Sequence, residues 1–93
     1  MSNPESRRRL SILVHLSLCR HYKAAVADIR EAVSDLGYAV SLDAIRADAD
    51  WLAETGLATF DRANQVLAAR ERGLEVALGN LDVSGVATRR PVA

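Results

Sequence analysis

The sequence predicts a mainly α-helical fold with one small β-hairpin, in the order α-α-α-β-β-α. Apolar residues recur at helical spacing as far as Gly56, and the period then changes to that of a strand. Two short apolar runs, 57–60 and 65–69, flank a polar turn at 61–64, which is typical of a hairpin. A last helical run follows at 71–78.

The first helix is predicted over residues 7–20, which contain neither Gly nor Pro, after a loose leader at 1–5. Its apolar residues cover so much of the circumference that we expect it to lie centrally. The second helix is predicted over 24–36, and Gly37 is expected to close it in the left-handed conformation. The apolar stripe of the second helix is Ala25, Ile29, Val33 and Leu36.

The third helix is predicted from Ser41, whose hydroxyl can cap it, to about Thr55. Its buried line is Ile45, Ala49 and Leu52. In the hairpin turn we expect Asn64 to take a positive φ. The fourth helix, which we expect to end at Gly79, is predicted to bury Leu74, Val76 or Ala77, and Leu78. We therefore predict a domain at 1–80 and a flexible tail at 81–93.

This order of elements, with a tight link between the second and third helices, is that of the winged helix-turn-helix domain. The third helix is then the element that reads DNA, and the hairpin is the wing. A helix that ends Leu-x-x-x-Gly-Leu and runs straight into a strand, as at 52–57, is frequent in such domains. The pattern indicates a fold more specifically than a function.

Composition excludes several classes of protein. The 93 residues have a formal net charge of zero, with 49% hydrophobic and 26% charged residues. This balance excludes a large two-domain enzyme, makes intrinsic disorder improbable and speaks against a simple polycation. The single cysteine excludes an internal disulfide framework. The zero charge is divided along the chain, because residues 1–23 carry +4, residues 24–61 carry −6 and residues 62–93 carry +2.

The N-terminal part resembles a secretory signal, because three arginines precede an apolar run at 10–19. Arg20, His21 and Lys23 lie between that run and the only small-residue motif, where a signal peptide avoids charge. The run is also too short to span a membrane. We therefore expect a cytoplasmic protein without a membrane partner.

The candidate DNA-binding residues lie on the third helix, in the hairpin turn and in an N-terminal basic arm. They are Ser41, Leu42, Asp43, Arg46, Ala47, Asp50, Arg62, Asn64, Arg7, Arg8 and Arg9. Arg46 suits a guanine edge or a phosphate, and the hairpin turn suits the DNA backbone or minor groove. Acidic neighbours oppose this use of the helix, and an ordinary solvated face is the alternative. Arg89 and Arg90 could form a second basic arm.

Other residues suggest structural roles more than chemistry. Trp51 is predicted to be core, or else part of a partner or dimer surface. Asp48 is expected to pair with a basic group of another helix. His15, Cys19 and His21 are too few for a closed zinc site, and no catalytic motif is present. We therefore expect no enzyme activity, no metal and no cofactor.

Several segments resemble a family of small uncharacterised proteins encoded by Mu-like phages and prophages. The segments are Arg8-Arg9-Leu10, residues 37–41, residues 46–57 and Glu71-Arg72-Gly73 with the residues after it. The resemblance extends over nearly the whole chain and implies a winged helix related to ArsR or MarR-type regulators. It implies no activity. One departure is that Ala69 and Arg70 stand where winged-helix proteins often place Leu-Thr before the fourth helix.

Two functions follow as hypotheses. The first is a phage or prophage DNA-binding protein, acting on double-stranded DNA as a transcriptional or DNA-transaction accessory and as a dimer. The alternative is a protein–protein interaction module on the same scaffold, which docks a basic partner through the acidic middle of the chain in phage assembly or packaging.

Overall fold

The computed structural model describes residues 4–89, which form four α-helices and three short strands. The helices are α1 (Pro4–Leu18), α2 (Val26–Asp35), α3 (Leu42–Glu54) and α4 (Glu71–Leu78). The strands are β1 (Lys23–Ala25), β2 (Ala58–Asp61) and β3 (Val66–Ala69). A 3-10 turn, Arg20–Tyr22, joins α1 to β1. The architecture is therefore mainly helical with a small antiparallel sheet.

The sheet has one strand more than the predicted hairpin. β1 pairs antiparallel with β3, with Lys23 opposite Ala68 and Ala25 opposite Val66, so the strand order is β1-β3-β2. The sequence placed these residues before and at the start of the second helix. Two of the three are alanines, which have little preference for strands, so the strand depends on the free edge of β3. This element order is compatible with a winged helix.

The core lies where α1 packs against α2, α3, α4 and β3, which confirms its expected central position. Ile12, Leu13 and Leu16 of α1 are completely buried. The predicted buried line of α3, Ile45, Ala49 and Leu52, is also completely buried. Two expected core residues differ, since Leu36 is 64% exposed and Leu78 is 63% exposed. Both lie at helix ends, where the chain has already turned away from the core.

Helix α3 begins where the sequence predicts. The Ser41 hydroxyl accepts the backbone N–H of Ala44 at 3.1 Å, which satisfies one of the free donors of the first turn. Helix α4 occupies its predicted residues, although Arg70 at its N-cap makes no side-chain capping bond within the described structure. Its start therefore depends on packing and on the backbone bond from the Arg70 N–H to the Leu57 carbonyl.

We expect Ser41→Ala to lower the free energy of unfolding by about 1 kcal/mol, because the capping acceptor is lost. Urea denaturation followed by circular dichroism measures the change. Ser41→Asp is the matched control, since a carboxylate also accepts from the helix N-terminus and should retain most of the stability. A Ser41→Ala variant as stable as the parent would show that the cap contributes nothing.

The hairpin turn differs from its prediction at one residue. The positive φ, 56°, belongs to Gln65 and not to Asn64. Asn64 instead donates its backbone N–H and its side-chain amide to the two carboxylate oxygens of Asp61, at 3.1 and 2.9 Å. These bonds hold Asn64 in the turn and move the left-handed residue one position along the chain.

The described part of the predicted tail packs against the helices. Val86 is buried, and the Ala87 N–H donates to the Ser6 carbonyl at 3.0 Å. The Arg89 guanidinium donates to the Ala77 carbonyl at 3.1 Å. Residues 81–89 therefore form an ordered strap across α1 and α4, where the sequence predicts a mobile segment. Residues 90–93, which include Arg90 of the predicted second arm, lie outside the described residues.

Candidate nucleic-acid interface

The exposed face of α3 and the hairpin turn form one continuous surface. The Arg46 Nε of α3 donates to the Gln65 side-chain oxygen at 2.7 Å, and Arg62 of the turn donates to Asp50 of α3. Both contacts join residues far apart in sequence. We call the surface made by Asp43, Arg46, Asp50, Arg62 and Gln65 the α3–hairpin surface.

Each arginine of the α3–hairpin surface has an acidic partner on the same surface. Arg46 Nη1 lies 2.9 Å from Asp43 Oδ1, and Arg62 Nη2 lies 2.7 Å from Asp50 Oδ1. The arginine side chains are 45% and 70% exposed. Ion pairs this exposed contribute at most about 1 kcal/mol. The surface is therefore electrically balanced, and its arginines can exchange partners at low cost.

The other predicted residues of this region have varied positions. Ala47 and Asn64 are exposed, whereas Leu42 is half-buried against the core and the Ser41 hydroxyl caps α3. Hydrogen bonds from Asn64, first from its side chain and then from its backbone, lower the pKa of Asp61. Asp61 therefore keeps a negative charge at the hairpin turn.

Two residues of the predicted basic arm face the interior. Arg8 Nε donates to Asp48 Oδ2 and its Nη2 donates to Asp48 Oδ1 at 3.1 Å, while Arg9 Nε lies 3.3 Å from Asp48 Oδ1. The Asp48 side chain is only 2% exposed. The hydrogen bond to Asp48 raises the pKa of Arg8 above its ordinary value. The expected pairing of Asp48 with another helix is confirmed. Of the predicted arm, Arg7 alone is fully exposed.

Trp51 lies under the C-terminal strap. The Arg9 guanidinium is 4.2 Å from the centre of the Trp51 ring, within the range of a cation–π contact. Arg9 also donates to the Gly85 carbonyl at 3.1 Å. Gly85 lies so close to the ring that an added Cβ would overlap it. Trp51 is thus half-buried, and the chain itself covers it.

His15 and Cys19 are in contact, with 3.4 Å between Nε2 and Sγ. Burial, and then the negative charge of Asp28, raises the pKa of the Cys19 thiol. A raised pKa keeps the sulfur protonated, which is the opposite of an activated nucleophile. Across residues 4–89, no group of three or more His, Cys, Asp or Glu side chains converges as metal ligands would.

Sequence reasoning missed Gln65, whose side-chain oxygen holds Arg46 and whose side-chain amide donates to the Arg62 carbonyl at 2.8 Å. Its place at the end of a polar turn gave a weak indication, because amides are frequent where a turn needs both a donor and an acceptor. It also missed which acid each arginine would select, since those choices depend on how the hairpin folds back over α3.

The fold and this surface define a small, mainly helical protein with a three-stranded antiparallel sheet and an exposed helix–hairpin face. The chain is 38% identical over 88 residues to "Uncharacterized protein gp26" of Escherichia phage Mu, an alignment that covers 92% of this chain and 91% of the phage protein. The chain therefore belongs to this family of Mu-like phage proteins. No family model and no solved structure matches it. None of the helices in the described range is long and apolar enough to cross a membrane.

Proposed function

We propose that this phage protein binds double-stranded DNA through the α3–hairpin surface, as a winged-helix accessory of transcription or of another DNA transaction. The observation that supports the proposal is the joining of α3 to the hairpin turn through Arg46 and Gln65, which places two exposed arginines on one face. A helix with an adjacent hairpin fits a major groove and its flanking backbone. The proposal assigns no reaction or cofactor and places the protein in the cytoplasm.

Binding would proceed by exchange of partners. Arg46 and Arg62 would leave Asp43 and Asp50 and take phosphate oxygens or base edges instead. Because the carboxylates then remain close to the phosphates, binding would be weak and would decrease steeply with salt. Arg8 and Arg9 would contribute little, since Asp48 holds them inside.

Arg46→Ala with Arg62→Ala should weaken duplex binding at least tenfold and reduce the salt dependence by about one counterion per lost contact. Asp43→Asn with Asp50→Asn should have the opposite effect and strengthen binding, because repulsion of the phosphates is removed. Fluorescence anisotropy with a labelled duplex across a salt series measures both changes.

Arg70→Ala with Arg72→Ala is the matched control. These arginines are exposed but lie beyond the end of β3 that is remote from the hairpin turn, so binding should change little. Failure of the parent chain to bind any duplex at low salt would overturn the proposal. Equal losses in the control and in the Arg46 variant would show a diffuse cationic attraction and no α3–hairpin interface.

The acids of the same surface favour a second candidate, an interaction module that docks a basic protein partner. Asp43, Asp50 and Asp61 would then be the binding groups, with Arg46 and Arg62 as their orienting neighbours. The same acid-to-amide variants separate the two functions, since they would weaken a protein complex and strengthen DNA binding. A pull-down from phage-producing cells that recovers equal partner with parent and variant would contradict the interaction module.

A further inference from the structure

A groove between α1 and α2 lies outside the α3–hairpin surface. It encloses about 370 Å³ and is predominantly apolar. Its principal walls are Leu10, Val14 and Leu18 of α1 and Ala32 and Leu36 of α2. Leu18 is 82% exposed and Leu36 is 64% exposed. Large apolar side chains this exposed beside an apolar groove are typical of an interaction site.

We propose that a second copy of this chain fills the groove, forming a two-fold dimer in which Leu18 of each copy inserts into the groove of the other. A two-fold interface needs the projecting group and its receptor on the same face of the molecule. Leu18 meets this requirement, because it projects from the rim of the groove that it also lines.

The charges around the groove fit a second copy. Arg7 lies one helical turn before Ser11, a residue of the groove wall, and Arg20 lies just beyond Leu18. On α2, Asp28 and Asp35 share a helix face with Ala32. All four charged residues are exposed. The α1 side is therefore basic and the α2 side acidic, so α1 of one copy complements α2 of the other.

The dimer does not depend on the proposed function. The residues that line the groove belong to α1, α2 and the strap, and the α3–hairpin surface shares none of them. Both α3–hairpin surfaces of a dimer would therefore remain accessible. A chain that forms the dimer and binds no DNA would overturn the proposed function and support this one.

Sedimentation equilibrium of the parent chain and of Leu18→Glu is the direct test. We expect the parent to dimerise at micromolar concentrations. Leu18→Glu should weaken dimerisation roughly a hundredfold or more, because the two-fold axis removes the contact twice. Leu78→Glu is the matched control, an exposed leucine on α4 that is not part of the groove, and should dimerise like the parent. Circular dichroism and Trp51 fluorescence check that each variant is folded.

Charge reversal tests the pairing of the two sides. Arg7→Glu with Arg20→Glu should weaken self-association, and so should Asp28→Lys with Asp35→Lys. Mixing the two variants should restore association, because each altered side then meets its complement. A parent chain that remains monomeric up to millimolar concentration would overturn the proposal, as would Leu18→Glu dimerising as tightly as the parent or a mixture that fails to associate.

Discussion

Asp48→Ala should lower the free energy of unfolding by about 2–4 kcal/mol, one of the largest effects expected for a single substitution in this chain. Asp48 is buried in α3 and receives hydrogen bonds from both Arg8 and Arg9. Its removal leaves two guanidinium groups close together without a counter-charge. The arginine side chains are 18% and 14% exposed, so water relieves only part of that cost.

The same substitution should alter the environment of Trp51. Arg9 reaches Asp48, the Trp51 ring and the Gly85 carbonyl at once, so loss of Asp48 frees it to move from the ring. The single tryptophan therefore reports the change by fluorescence, alongside urea denaturation. Asp50→Ala is the matched control, an acid of the same helix with an exposed arginine partner, and should cost less than about 1 kcal/mol. Equal losses for the two variants would refute the structural role of Asp48.

The elements that sequence predicted well are those specified by local chemistry. Ser41 caps α3 through a bond three residues away, and positive φ at Gly56 and Gly79 closes α3 and α4. Such bonds depend on neighbours in the chain, so spacing reveals them. β1 depends instead on pairing with a strand more than forty residues later, and its alanines carry no pattern that predicts it.

The same distinction explains the candidate site. Arg46 and Arg62 could be proposed individually, because an exposed helix face and a polar turn are local features. Their joining through Gln65 and Asp50 could not, since those contacts span 19 and 12 residues. Arg8 and Arg9 illustrate the limit most clearly. A run of basic residues near a terminus resembles a free arm, and only the position of Asp48, about forty residues away, turns two of them inward.

Helix propensity and packing predict opposite results for Gly73→Ala. In an exposed helix, alanine is more favourable than glycine by about 1 kcal/mol. Gly73, however, is buried in α4, and a Cβ there would overlap the carbonyl oxygen of Leu57 and lie 3.1 Å from Cδ2 of Leu13. That carbonyl also accepts the Arg70 N–H at 3.0 Å, just before the helix begins. Relief of the overlap therefore requires α4 to move away from the backbone that starts it.

We expect Gly73→Ala to destabilise the protein by about 2–3 kcal/mol, because overpacking against backbone exceeds the gain in propensity. For a chain of this length the midpoint of thermal unfolding should fall by roughly 10–20 °C. Gly37→Ala is the matched control, since Gly37 has a φ of 99° but an added Cβ meets nothing within 4 Å. Its cost is the left-handed backbone alone, about 1 kcal/mol. If calorimetry found Gly73→Ala more stable than Gly37→Ala, the close approach of α4 to Leu57 would be wrong, and with it the reason for glycine in the Glu-Arg-Gly segment.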